Sequence, residues 1–135
     1  MAYLVDTNFL IRCWRNARHP ERLGSLASFL DSELNLVWVV KAEFLRGASV
    51  ANHDQEQVNE FLNRHKTVWP DDTTLLVYAQ IYALLRRANT LIGPHDLWIA
   101  AAALQRGMPL LTNNASEFRR VPGLIVVDYT APTTT

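Results

Sequence analysis

The sequence predicts an α/β domain built on a mainly parallel sheet. Short runs of β-branched and aromatic residues alternate with longer segments at helical spacing. The run Leu36-Val37-Trp38-Val39-Val40 has no polar alternation, as expected of a strand buried on both faces, and the breakers Pro20, Pro70 and Gly93-Pro94 fall between the runs. With 135 residues the chain has the size of one domain, and 49% hydrophobic against 19% charged residues is a globular balance that excludes disorder as the main state. Its 13 basic and 13 acidic residues cancel, which argues against a broad basic surface wrapping nucleic acid and leaves room only for local or metal-assisted contact. Met1 to Asp6 lacks the basic and apolar regions of a signal peptide, and no apolar run approaches the roughly 18 residues of a membrane span. Cys13 is the single cysteine, so no internal disulfide forms. The expectation is a soluble, cytoplasmic protein that does not engage a membrane.

Taken in order, Tyr3-Leu4-Val5 reads as a first strand that stops at Asp6-Thr7-Asn8, residue types that cap a helix over about 8 to 17. Pro20 suits the first turn of a second helix reaching Ser32, with Leu23, Leu26, Ala27 and Leu30 at helical spacing. The apolar run 36–40 is the second strand, and Lys41 to Gly47 reads as the start of another helix. A polar helix follows over Asp54 to His65, with Val58, Phe61 and Leu62 on one side, then a short strand at Thr67-Val68-Trp69. Asp71 or Asp72 caps the next helix, on which Leu75, Leu76, Ala79, Tyr82 and Ala83 form the stripe expected to face the core. After Gly93-Pro94 an alanine-rich helix runs to Gly107, a C-cap signal reinforced by Pro109. Leu110-Leu111-Thr112 and Leu124-Ile125-Val126-Val127 complete the strands.

The acids fall at one edge of this arrangement. Asp6 follows the first strand, Glu43 the second, and Asn113-Asn114 the strand 110–112. In a parallel sheet the carboxyl ends of the strands line up, and that edge is where open α/β proteins bind ligands. Asp96 begins the helix that crosses over into strand 110–112, so its start returns to the same edge. Two unit charges about 4 Å apart repel by roughly 4 kcal/mol at an effective dielectric near 20, so converging carboxylates need either a shared proton or a cation. Helix N-termini near Asp6, Glu43 and Asp96 favour ionised forms. The cation is therefore the better reading, a Mg²⁺ or Mn²⁺ held by oxygen ligands. Such an ion activates water and stabilises charge on a phosphoryl oxygen, the usual apparatus of nucleases.

Four stretches carry a resemblance: Asp6-Thr7-Asn8; Lys41-Ala42-Glu43-Phe44-Leu45-Arg46-Gly47; Gly93-Pro94-His95-Asp96-Leu97-Trp98-Ile99-Ala100-Ala101; and Thr112-Asn113-Asn114-Ala115-Ser116-Glu117-Phe118. In this order, between Ala2 and Asp128, they resemble the PIN-domain ribonucleases, and among these the VapC-type toxins of bacterial toxin–antitoxin pairs. The resemblance implies a three-layer fold with a central sheet of about five strands, a single PIN domain over 1–129 and a tail over 130–135. It implies that Asp6, Glu43 and Asp96 bind the metal, joined by Asn114 through its amide oxygen or by Glu117, where many PIN domains have an Asp in place of Asn114. Thr7, Asn8 and Thr112 are expected to position these ligands. Arg12, Arg15, Arg86 and Arg87 are candidates for RNA phosphate contact. The implied activity is Mg²⁺- or Mn²⁺-dependent hydrolysis of RNA, with tRNA the substrate class and a small cognate antitoxin and a second copy of the chain as protein partners. The alternative is a PIN module that binds RNA or protein without turnover. A haloacid-type phosphohydrolase would need an Asp where Asn8 stands, and a receiver domain would need paired acids before the first helix.

Overall fold

A computed structural model describes residues 1–131, so positions 132–135 of the expected tail lie outside the described residues. Five strands, β1 (Ala2–Val5), β2 (Glu33–Val37), β3 (Lys66–Val68), β4 (Leu110–Thr112) and β5 (Val126–Asp128), form one sheet in the order β3-β2-β1-β4-β5, and every neighbouring pair is parallel. Helices α1 (Thr7–Arg15), α2 (Trp38–Val50), α3 (Gln55–Asn63), α4 (Asp72–Arg87), α5 (Pro94–Arg106) and α6 (Ala115–Phe118) lie between the strands, with a 3-10 segment over Pro20–Phe29. Successive strand residues point to opposite faces. Leu34 to Val37 and Leu110 to Thr112 are nevertheless buried without a gap, so both faces of the sheet are covered and the three-layer expectation holds. Among the described residues no helix is long and apolar enough to cross a membrane.

The strand order places the site. The chain steps outward from β1 through β2 to β3, then returns to lay β4 on the opposite side of β1. The crossovers diverge between β1 and β4, and the crevice outside their carboxyl ends is the topological switch point where α/β sheets take ligands. Asp6 stands at one lip of this crevice, with Thr112 and Asn113 at the other. The core beneath is apolar, with Leu4, Val5, Leu36, Val37, Leu110 and Leu111 fully enclosed. Ala100 to Ala103 on α5 are buried too, and their small side chains allow α4 and α5 to pack closely.

Four expectations are corrected. The run 36–40 is not one strand: β2 ends at Val37, whose extended backbone (φ −67°, ψ 145°) leads without a loop into α2 at Trp38. A continuous apolar run does not mark where a buried strand hands over to a buried helix. The helix expected over 20–32 is a 3-10 segment ending at Phe29, broken by Gly24 at φ 60° and ψ −136°. The last strand begins at Val126 and includes Asp128, two residues later than the apolar run suggests. Finally, the core-facing stripe of α4 is Thr74, Tyr78, Ile81 and Leu85. The stripe expected inside, from Leu75 and Leu76 through Ala79 to Tyr82, faces outward, with Leu75 50% and Leu76 59% exposed. The helix is apolar on two sides, and the buried one is masked in sequence by a threonine.

Candidate active site

Asp6 ends β1 and caps α1, and its carboxylate is fully engaged. Oδ1 accepts the backbone N–H of Phe9 (2.9 Å); Oδ2 accepts the Thr112 hydroxyl (2.7 Å) and the Asn113 N–H (3.0 Å). The residue is 7% exposed. Burial raises its pKa, opposed by these hydrogen bonds, which favour the charged form. Thr112 serves two groups, because its Oγ also accepts the Asn114 N–H (2.9 Å). Asn8 donates its side-chain amide to Asn113 Oδ1 (3.3 Å), tying the start of α1 to the β4–α6 turn.

Asp96 lies in the first turn of α5, which Gly93 and Pro94 open. Its pKa is pushed up to about 6, first by burial and then by the negative charges of Glu117, Glu43 and Asp6. Glu43 sits in the second turn of α2 rather than directly after a strand, yet it still reaches the same crevice. Its Oε1 lies 3.7 Å from His95 Nδ1. Glu117, on the short α6, accepts the Gly93 N–H (3.2 Å) at one oxygen and the Asn114 side-chain amide at the other.

These residues line one pocket of about 370 Å³. Asp6, Thr7, Asn8, Glu43, Asp96 and Asn114 all border it, together with Arg46 and Asn113. Glu117 stands just behind, close enough to Asp96 to raise its pKa. The donor set is entirely oxygen. Among the described residues no lysine or arginine forms an ion pair with any of these acids; His95 approaches Glu43, and Arg46 borders the pocket without pairing. Oxygen donors with uncompensated negative charge suit a hard divalent cation. The acids line a cavity rather than a closed cage, since among the described residues no three Asp, Glu, His or Cys side chains make a ready metal cluster.

The structure separates the four arginines from this pocket. Arg12 donates to the carbonyl oxygen of Leu23 (3.1 Å) and lies over the Tyr129 ring (5.9 Å), so its guanidinium braces the 3-10 segment. Arg15 is exposed at the far end of α1, beside a second cavity, and Arg86 and Arg87 are exposed in the last turn of α4. Trp14 packs edge-on against Phe44 and Phe61, and Trp98 stacks on Tyr78 at 3.8 Å. Sequence reasoning placed Asn113 at the right edge but not its role, and missed Arg46 and Tyr129. Asn113 contributes through its backbone N–H, which no side-chain pattern reveals. Arg46 was legible, since it stands three residues after Glu43 and so shares its helix face. Tyr129, fully buried with its hydroxyl unpaired, lies close enough to Asp6 for the carboxylate, after burial itself, to raise its pKa, and it has no sequence signature.

A parallel sheet with a pocket of carboxylates at its switch point defines the class, an α/β protein with an acidic site at the carboxyl edge of its sheet. The PIN domain profile matches residues 3–124. Ribonuclease VapC1 of Methanocaldococcus jannaschii is 33% identical, over 93% of this chain and 86% of its own length. The tRNA(fMet)-specific endonuclease VapC of Salmonella typhimurium is 29% identical over 96% of this chain and 98% of its own. The structure of VapBC-1 from nontypeable Haemophilus influenzae superimposes with a TM-score of 0.79 at 29% identity, covering 97% of this chain and all of that one. The chain belongs to the PIN-domain family and, within it, to the VapC ribonucleases.

Proposed function

We propose that this chain is a Mg²⁺- or Mn²⁺-dependent endoribonuclease that acts in the cytoplasm as the toxin of a toxin–antitoxin pair, with tRNA as its substrate class. The observation that carries the reading is the convergence of Asp6, Glu43 and Asp96 on one pocket in which, among the described residues, no lysine or arginine forms an ion pair with them. The tRNA class is supported by the name of the Salmonella relative.

Asp6, Glu43 and Asp96 would hold the cation, with Asn114 or Glu117 completing the oxygen set. A divalent cation held there supplies Lewis-acid stabilisation of charge on the phosphoryl oxygens and lowers the pKa of water. The protein's own part is positional. Asp6, locked by three hydrogen bonds, is the fixed reference point, and Thr112 and Asn113 hold it without reorganisation when charge develops. Glu43 and Asp96 reach in from two separate helices. Arg46, exposed at the pocket rim and free of ion pairs among the described residues, is placed to meet a phosphate oxygen.

Two protein partners belong to the proposal. A free ribonuclease of this kind needs restraint, which a small antitoxin covering the acidic pocket would supply. A second copy of the chain would cover the outward apolar stripe of α4, since contiguous exposed apolar surface marks an interface.

The test is incubation of a total tRNA pool with the purified protein and Mg²⁺ or Mn²⁺, beside EDTA and beside Asp96→Asn, with cation binding followed in parallel by calorimetry. Discrete fragments that vanish with EDTA and in the variant are the expected result. Cation-independent RNA binding without fragments would replace this reading with that of a non-catalytic PIN module.

A further inference from the structure

We infer that the cleft between α1 and α3 is a phosphate-binding extension of the acid pocket, which takes the RNA strand flanking the bond to be cut; the inference rests on the nuclease reading above. Three cavities run end to end along the outer side of α1. The acid pocket shares Ile11, Glu43 and Gly47 with a small cavity of about 140 Å³, and that cavity shares Trp14 and Arg15 with a larger cleft of about 430 Å³. The three cavities are therefore neighbours along one face of α1. From Asp6 to Arg15 the helix rises roughly 13 Å, a span that a strand covers in a few nucleotides.

The charge along this path changes sign. At the acid end carboxylates dominate, with Arg46 at the rim. At the far end Arg15, Arg18 and Arg64 border the cleft, and Glu60 is the one acid beside them. Arg15 and Arg18 make no ion pair among the described residues. Arg64 meets Glu60 at 3.7 Å with both side chains largely exposed, a contact worth little and readily exchanged for a phosphate. In a chain of zero net charge this is a local concentration of cations rather than a general basic surface. The floor between the two ends is aromatic. Trp14 stands edge-on to Phe44 and Phe61, lies 5.3 Å from the His53 ring, is only partly buried and borders both outer cavities, so part of its ring faces the path a base would take.

A polyanion fits this arrangement better than an acidic protein segment does. The path ends where a phosphodiester must lie for cleavage, and a nucleic acid strand presents a charge at every nucleotide together with a π-face for Trp14.

The test measures binding without cleavage. In the Asp96→Asn background, the full chain is titrated against a fluorescein-labelled RNA stem-loop and against total tRNA, in EDTA, over a range of salt. The triple change Arg15→Gln, Arg18→Gln, Arg64→Gln is expected to weaken binding at least tenfold near physiological salt. It should also lower the log–log salt slope by about 2 to 3, since each lost phosphate contact removes about 0.7–0.9. Arg15→Lys with Arg18→Lys should retain most of the slope, and Lys66→Gln, on the edge strand β3, should leave it unchanged. All three arginines are exposed, and thermal melts verify that the variants fold. If the parent binds RNA and the triple variant binds it with the same affinity and slope, the inference fails while the nuclease reading stands. Unaltered RNA binding with lost binding of a polyglutamate peptide would assign the cleft to an acidic protein segment instead. If the parent itself binds no RNA in EDTA, the inference fails, and the cleavage assay with Mg²⁺ or Mn²⁺ decides the nuclease reading separately.

Discussion

At the scale of single residues the two aspartates of the site differ in kind. Asp6 is held by three donors that favour its charged form against the burial that raises its pKa, whereas among the described residues Asp96 has no such donors and is crowded by Glu117, Glu43 and Asp6. Thr112 is the residue on which the first arrangement turns. Thr112→Val keeps the shape and removes the hydroxyl, leaving Asp6 Oδ2 with the Asn113 N–H alone and the Asn114 N–H without its acceptor. The expected cost is about 1–3 kcal/mol in urea unfolding, accompanied by weaker Mn²⁺ binding in calorimetry. Asp96 makes stability depend on pH. Its pKa rises from an ordinary 3.8 to about 6 in the folded, cation-free chain, so the folded state binds the proton more tightly than the unfolded one. Its charge therefore costs nothing below the unfolded value, destabilises progressively as pH rises through about 6, and costs its full amount above that. Melting wild type and Asp96→Asn side by side in EDTA should show the variant's advantage growing between pH 4 and 6 and then levelling. Saturating Mg²⁺ should reverse its sign at pH 7. Asp6 and Asp96 were legible in the sequence because each stands at an element end, where function concentrates, whereas Glu43 was picked out as following a strand and in fact sits in the second turn of α2. The donors that hold Asp6 were only half legible, because Thr112 is a side chain with a motif and Asn113 acts through a backbone group that every non-proline residue carries.

At the scale of elements, boundaries were lost where two elements share one chemistry. Val37 and Trp38 belong to the same apolar run, and only the backbone turn at Val37 divides strand from helix. The misread face of α4 has the same origin, since two apolar stripes compete and Thr74, hydrogen-bonded to Asp71 and Gln105, occupies a buried position that looks polar. Helix ends with dedicated residues were read correctly. Gly107 closes α5 in the left-handed region at φ 63°, and its N–H bonds back to the carbonyl oxygens of α5, as a glycine C-cap should. A Cβ there would meet no atom within 4 Å, so Gly107→Ala isolates the backbone cost from any packing effect. A loss of about 1 kcal/mol in urea unfolding is expected. RNA cleavage should be unchanged, since α5 presents Asp96 from its opposite end.

At the scale of the whole molecule, alternating strands and helices gave the parallel sheet, but the order β3-β2-β1-β4-β5 depends on which side of β1 the returning chain takes, and that choice leaves no local signal. It decides the function, because only this order puts the carboxyl ends of β1 and β4 side by side and so brings Thr112 to Asp6. The error on α4 has a consequence at this scale too. Leu75 and Leu76, with Tyr82 two turns on, present an apolar stripe to solvent on the helix that packs most closely with α5. For a monomer this surface is a liability; in the proposed dimer a second copy would bury it with its own symmetry mate, as a two-fold interface requires. Leu76→Glu tests this, because it adds a charge to the stripe and removes no core contact. Sedimentation of the wild type should give a dimer and of the variant a monomer, while the variant's melting temperature at high dilution stays that of the wild type. A variant that sediments as the wild type does would place the partner of this face elsewhere than on a second chain.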